Sequence, residues 1–220
     1  MPRSGAEARH RLQRAALELY VERGYDNTTT AEIAERAGVN HRTFFRHFPD
    51  KREVLFDGQE HLRDSLVASV VAERDGTPSV DALRNAFLAS AHVLEDNKEA
   101  AAPRLRIIAQ TPALLERDLA KGAVMAAALA GALCDRGEDR NTAELISTVC
   151  WANFHHAATL WTAGPERSLE SYIMNAFDLL GRLVSQSTPP VPQSMVSEVT
   201  SRALVDGCGL CCSLAVFCDR

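Results

Sequence analysis

Residues 28–48, TTTAEIAERAGVNHRTFFRHF, decide the fold. They read as two short helices crossing steeply around a tight turn, the first over about Thr30–Ala37 and the second over about His41–Phe48. Ile33 and Ala37 point to a shared core, and Ala34 is small where the second helix must pass close. Gly38 stands at the turn, where a positive φ is cheap only for glycine. Val39, Phe44 and Phe48 supply the buried side of the second helix, and Asn40 can cap it by accepting from its free N–H groups. With that apolar face turned inward, His41, Arg42, Thr43 and Arg46 are left outward. A short helix led by donors and acceptors suits the major groove of DNA, where amino-terminal side chains meet base edges.

The rest of the chain reads as helix on either side of this segment. A first helix spans about Ala6–Arg23 with Leu12, Ala16, Leu19 and Tyr20 on one face, and Gly24 ends it. Pro49 stops the helix that begins at His41. Asp50-Lys51-Arg52-Glu53 has the spacing of a capping box, which predicts one long helix to about Glu73. After a break at Asp75-Gly76-Thr77-Pro78, helices are expected at Ser79–Asp96, Pro103–Gln110, Pro112–Arg136, Thr142–Trp161 and Ser168–Leu183. Asn141-Thr142-Ala143-Glu144 is a second candidate capping box, and Gly164-Pro165 predicts an antiparallel hairpin of the last two helices. The class is all-α: a three-helix helix-turn-helix domain over residues 1–52 and a helical domain over 53–187. Residues 188–220 open on a Pro- and Ser-rich linker and read as a disordered, Cys-rich tail.

Composition excludes several classes of function. Of 220 residues 46% are hydrophobic, yet no apolar run approaches the ~18–20 residues of a membrane span. The amino terminus lacks a signal-peptide apolar core, so a cytoplasmic protein with no membrane partner is expected. Net charge is −5, but residues 1–52 hold ten Lys/Arg against seven Asp/Glu, and the remainder fourteen against twenty-two. Positive charge gathered at one end is what a phosphate-binding module needs. There is no nucleophile elbow, no phosphate-cradling glycine loop and no HExxH pair, so an enzyme is the weakest hypothesis and no cofactor or metal is expected.

The stretch Ala8–Leu55 resembles the TetR/AcrR family of transcriptional regulators. The likeness is carried by Ala16-x-x-Leu19-Tyr20-x-x-x-Gly24-Tyr25, Thr29-Thr30-x-x-Ile33-Ala34-x-x-Ala37-Gly38-Val39, Thr43-Phe44-Phe45-Arg46-His47-Phe48, and Lys51 before Val54-Leu55. The resemblance implies a homodimeric repressor on double-stranded DNA with a near-palindromic operator, released by a small-molecule effector bound in the helical, dimerising domain. It implies phosphate contacts at Thr29 and Thr30, beside a capping role. It also implies base reading by His41, Arg42 and Thr43, and backbone clamps at His47 and at Lys51, placed at the start of the fourth helix. Asn40 and Arg46 complete the candidate interface. Phe45 departs from the family, which usually has tyrosine there, so a phosphate hydrogen bond is missing.

Other residues carry weaker signals. His155-His156 lie among Trp151, Phe154 and Trp161, but neighbours on a helix do not share a face, so cavity lining or dimer packing is favoured over a metal. Trp151, Phe154 and His155 are the candidates for effector contact. Arg104 and Arg106 flank the Ile107-Ile108 run, where a solvated or ion-paired face is favoured over a buried guanidinium that binds an anion. Cys134 and Cys150 read as small buried hydrophobes. Cys208, Cys211, Cys212 and Cys218 support the alternative of a thiol- or metal-responsive sensor. Finally, Leu145, Val149, Ala152, His156 and Leu160 form one row, and Ile146, Cys150, Phe154 and Trp161 another. With Tyr172, Ile173, Ala176, Phe177 and Leu180 on the last helix, they predict helices buried on two sides, one of them by a two-fold mate.

Overall fold

The structure, a computed structural model, describes residues 5–164 and 167–186. Among these there is no strand. The chain runs through α1 (Gly5–Arg23), α2 (Thr30–Arg36), α3 (His41–His47), a 3-10 turn (Glu53–Phe56), α4 (Gln59–Val71), α5 (Ser79–Glu95), α6 (Lys98–Gln110), α7 (Pro112–Asp135), α8 (Arg140–Ala163) and α9 (Leu169–Gln186). The core packing described below lies in a compact unit that ends at Leu180.

Local chemistry sets the two short helices. Thr29 Oγ1 accepts from Glu32 N at 3.2 Å while the Glu32 carboxylate accepts from Thr29 N at 2.9 Å, a reciprocal cap on α2. At the other end Gly38 adopts φ +65°, which lets Gly38 N reach Glu35 O and Val39 N reach Ala34 O, each at 2.9 Å. These two bonds satisfy the last carbonyls of α2 and turn the chain into α3. Asn40 Oδ1 accepts from Thr43 N at 2.7 Å and caps α3, as its position in the sequence predicts.

Two hydrophobic cores follow. The first gathers Leu12, Leu19, Ile33, Phe44 and Phe48, runs on through Val54, Leu55 and Phe56, and is completed by Ile108 of α6 and Leu114 of α7. The second unites α4, α5, α7, α8 and α9 around Leu83, Phe87, Leu129, Leu133, Phe154 and Ile173. The Phe87 and Phe154 rings stack there, centroids 4.6 Å apart and 15° from parallel.

Several expectations are corrected. The long helix from Asp50 to Glu73 is broken: Asp50 Oδ1 does accept from Arg52 N and Glu53 N, at 2.7 and 3.1 Å, but only a 3-10 turn results. Gly58 then takes φ +85° and α4 starts afresh. Glu53 does not fold back on Asp50; its carboxylate lies 2.9 Å from Arg117 Nε and 3.0 Å from Lys121 Nζ on α7. Helix α6 begins at Lys98 and holds Pro103 inside it, not at its start. The α8 cap is Asp139, whose side chain accepts from Thr142 N at 3.1 Å, and Glu144 faces Arg140 instead. Helix α8 packs closely along α7, and Leu169, Ile173 and Phe177 of α9 share one core with Phe154 and Trp161 of α8.

Helix α8 does have two apolar faces. Ala143, Cys150, Phe154, Ala157 and Trp161 are buried, while Leu145, Val149 and Leu160 stand 66%, 38% and 44% exposed on the opposite side. Ala176 is different. With Ile173 and Phe177 it is buried in the second core, so it belongs to the subunit interior and not to the face expected to meet a mate.

Candidate nucleic-acid interface and effector cavity

The outward side of α3 carries unneutralised charge. Elsewhere near the amino terminus Arg9 pairs with Asp57, Arg14 with Glu18, Arg23 with Glu32, Arg36 with Glu22, and Arg52 with Asp50. Arg11 is turned inward, its Nη1 donating to Ala37 O at 2.8 Å and so holding the C-terminal end of α2. Arg42 and Arg46 are exposed and make no ion pair or side-chain hydrogen bond among the described residues. Two guanidinium groups free on one short helix can meet base edges or phosphates without first breaking an internal bond.

The other candidates gather around them in part. Thr30 Oγ1 and His41 Nε2 are 2.8 Å apart, which ties the amino-terminal ends of α2 and α3 together. The His41 ring meets Phe45 edge-on, centroids 4.9 Å apart, and Phe45 is 50% exposed. Thr29 is exposed beside them, and Thr43 is half-buried.

Two candidates point elsewhere. Lys51 is not at the start of a helix: it precedes the 3-10 turn, and its ammonium donates to Tyr25 O at 2.8 Å and Thr28 O at 2.9 Å while lying over the Tyr25 ring. Its own carbonyl accepts from Tyr20 Oη at 2.6 Å. Lys51 therefore clasps the α1–α2 loop inside the domain. His47 is half-buried, its Nε2 sealed from solvent and without a hydrogen-bond partner among the described residues. Burial, then the charges of Arg46 and Arg9, push its pKa below the usual histidine value, so the ring is neutral near pH 7.

A second site lies in the helical body. A cavity of about 2140 Å³ is lined by Trp151, Phe154 and His155, the residues singled out from the sequence, together with Trp161, Leu119 and Met125. Trp151 and Phe154 contact one another with ring centroids 5.5 Å apart. A side chain at Gly122 would come within 3.0 Å of Trp151 Nε1, so the bare glycine lets the indole lie close to α7. His155 Nε2 is 3.4 Å from Asp118 Oδ2, while His156 is exposed and does not line the cavity. Arg104 also lines the cavity, and its Nη1 donates to Leu55 O in the 3-10 turn at 3.3 Å. Sequence reasoning favoured a solvated or ion-paired Arg104; the structure leaves it partly buried, with Nε sealed from solvent and no ion pair among the described residues, while Arg106 is exposed.

Comparison with known proteins decides between readings of this layout. Residues 12–57 match the model of the bacterial regulatory proteins of the tetR family, and residues 77–185 match the MftR C-terminal domain. The chain belongs to the TetR family. Among relatives, the transcriptional regulator TcmR of Streptomyces glaucescens is 31% identical over 134 residues, a match that spans 58% of this chain and 59% of TcmR. MftR of Mycobacterium tuberculosis is 27% identical over 177 residues, 78% of this chain and 88% of MftR. Among solved structures, the repressor FadR of Thermus thermophilus, captured with lauroyl-CoA, matches with a TM-score of 0.53 and 27% identity over 84% of this chain and 97% of its own. SmeT of Stenotrophomonas maltophilia shares the fold at a TM-score of 0.52 and 21% identity, covering 78% of this chain and 87% of SmeT. As a TetR-family protein the chain is a DNA-binding transcriptional regulator.

Sequence reading missed the residues that join the TetR-type DNA-binding helices to the body. Arg9 and Gln13 both reach the Asp57 carboxylate, and Glu53 bridges to Arg117 and Lys121. These partners lie 44 to 68 residues apart, and no local pattern marks them. The cysteines of the alternative sensor reading, Cys208, Cys211, Cys212 and Cys218, lie outside the described residues.

Proposed function

We propose that two copies of this regulator bind a near-palindromic operator as a repressor and leave it when a small molecule fills the cavity. The observation that carries this reading is a free cationic face on α3 in the same compact unit as a large, aromatic-lined cavity. The likeness to a repressor in complex with lauroyl-CoA supports it. The exposed apolar row Leu145, Val149 and Leu160 is suited to an isologous interface, which would place two α3 helices on successive major grooves about 34–36 Å apart.

Coupling between the sites has a physical route. The 3-10 turn lies between the DNA-binding helices and α4, and it is held from the cavity side by Arg104 on the Leu55 carbonyl and by Arg117 and Lys121 on Glu53. An effector that shifts α6 or α7 moves this turn, and DNA and effector then oppose one another by a reciprocal coupling of about 1–3 kcal/mol.

Selection of bound duplexes from a randomised DNA pool tests the reading. A near-palindrome with half-sites one helical turn apart is expected, and Arg42→Ala should abolish its enrichment. Enrichment of a single unrepeated half-site would sink the dimeric reading, and no enrichment would sink the operator itself.

A further inference from the structure

The cavity contains a largely enclosed cation that has no ion-pair partner among the described residues. Of the Lys and Arg side chains that line it, Arg14 lies 3.7 Å from Glu18, Lys121 3.0 Å from Glu53, and Arg140 3.8 Å from Glu144. Arg104 alone among the described lining residues has no carboxylate within ion-pair distance, and its Nε is sealed from solvent with no hydrogen-bond partner. Among the described residues its one hydrogen bond is the 3.3 Å contact from Nη1 to Leu55 O. Asp118 lies near enough to act on it through space, but that carboxylate is 3.4 Å from His155 Nε2. Burial pushes the guanidinium pKa down and Asp118 pushes it back, yet arginine stays charged throughout the physiological range.

A guanidinium with an enclosed, unpartnered Nε gains from a ligand that supplies the missing acceptor. A guanidinium presents a planar fork of donors, and the groups that match it are carboxylate and phosphate oxygens. The same cavity has acidic side chains in its lining, Glu95, Glu99 and Asp118 among them, and an apolar, aromatic stretch that includes Leu119, Ala123, Trp151, Phe154 and Trp161. We propose that the cavity takes an amphiphilic acid, its apolar body against Trp151, Phe154 and Leu119 and its carboxylate or phosphate head on Arg104. This rests on the effector-cavity reading above and names the chemistry of the effector. It also gives Arg104 two partners, the ligand head and the Leu55 carbonyl, so the head group is sensed at the turn that leads to the DNA-binding helices.

Both tryptophans of the chain line the cavity, so intrinsic fluorescence of the full chain reports binding directly. The probes are decanoate, decyl phosphate and 1-decanol, each below its micelle concentration. One or both acids should bind about tenfold or more tightly than the alcohol, the scale of a charge-assisted hydrogen bond, and the tighter acid identifies the head group. Arg104→Met should erase that preference by weakening the acids far more than decanol, whereas Arg104→Lys should keep part of it. Thermal unfolding establishes that each variant is folded, and the three-probe comparison on the unaltered chain needs no variant at all. Equal affinity for decanol and both acids, or a preference that survives Arg104→Met, would overturn the proposal while leaving the effector cavity standing. No fluorescence change with any of the three would remove the cavity reading and the proposal together.

Discussion

Phe45 is half-exposed beside His41 on the outward side of α3, so a hydroxyl at the para position has room. Phe45→Tyr is expected to tighten operator binding by at most about 1.5–3 kcal/mol, the worth of a hydrogen bond to a charged group. Fluorescence anisotropy with a selected duplex measures it, and an unchanged affinity would mean that no phosphate comes within reach. Arg42→Ala should weaken specific binding by about 1–3 kcal/mol, because its unpaired guanidinium is placed to read a base. Equal losses on specific and random duplexes would reduce Arg42 to a phosphate contact. Lys51 should behave otherwise. Its ammonium is already shared between Tyr25 O and Thr28 O, so Lys51→Ala should cost about 1.5–3 kcal/mol of folding stability in urea titrations. Full stability with a flatter salt dependence of DNA binding would restore it as a phosphate clamp. Asn40 and Gly38 were legible in the sequence because a cap and a left-handed turn are local events. Lys51 was not, since its partners lie 23 to 26 residues upstream and only the closed domain brings them near.

At the scale of elements, the join between the 3-10 turn and α7 has a defined pH response. Burial alone would raise the Glu53 carboxyl, but the hydrogen bonds from Arg117 and Lys121 outweigh it and hold its pKa below the ordinary value near 4.5. A carboxylate depressed on folding stabilises above its unfolded pKa, and that contribution is lost as pH falls through the lower folded value. Glu53→Gln should therefore cost about 1 kcal/mol or less near neutrality, since both partners remain partly exposed, and nothing in strong acid. Denaturation curves at the two pH values decide it, and a constant difference would show that packing and not charge carries the effect. The same region shows where helix reading runs out. Asp50 and Glu53 have capping-box spacing and Asp50 does cap, yet Asp57 is drawn to Arg9 on α1 and Gly58 turns left-handed. A pairing 48 residues apart overrides a pattern four residues long. By contrast, the starts of α5 and α7 follow from Pro78 and Pro112, which need no distant partner.

For the whole molecule, the two faces of α8 fix where a mate can sit. The alternation of Cys150, Phe154 and Trp161 with Leu145, Val149 and Leu160 was readable from spacing, and the structure divides the rows between interior and surface. On α9 only Ala176 was assigned to the wrong face: it joins Ile173 and Phe177 in the core, while Met174 and Leu179 stand exposed on another side of the same helix. Val149→Glu combined with Leu145→Glu should give a folded monomer by light scattering that binds operator weakly. Ala176→Glu should lower stability instead, because a carboxylate there enters the second core. A folded dimer from the double variant would move the interface to another face.

The first core is completed from outside its own segment. Ile108 and Leu114 complete the core that holds Leu12, Phe44 and Phe56, so part of the floor under residues 12–57 comes from outside them. A recognition segment transplanted between family members carries its operator preference but leaves that part behind. Recombination, in nature or at the bench, must then exchange α6 and the start of α7 as well, or refit them to the newcomer. What is inherited as a unit is larger than the motif that reads the DNA.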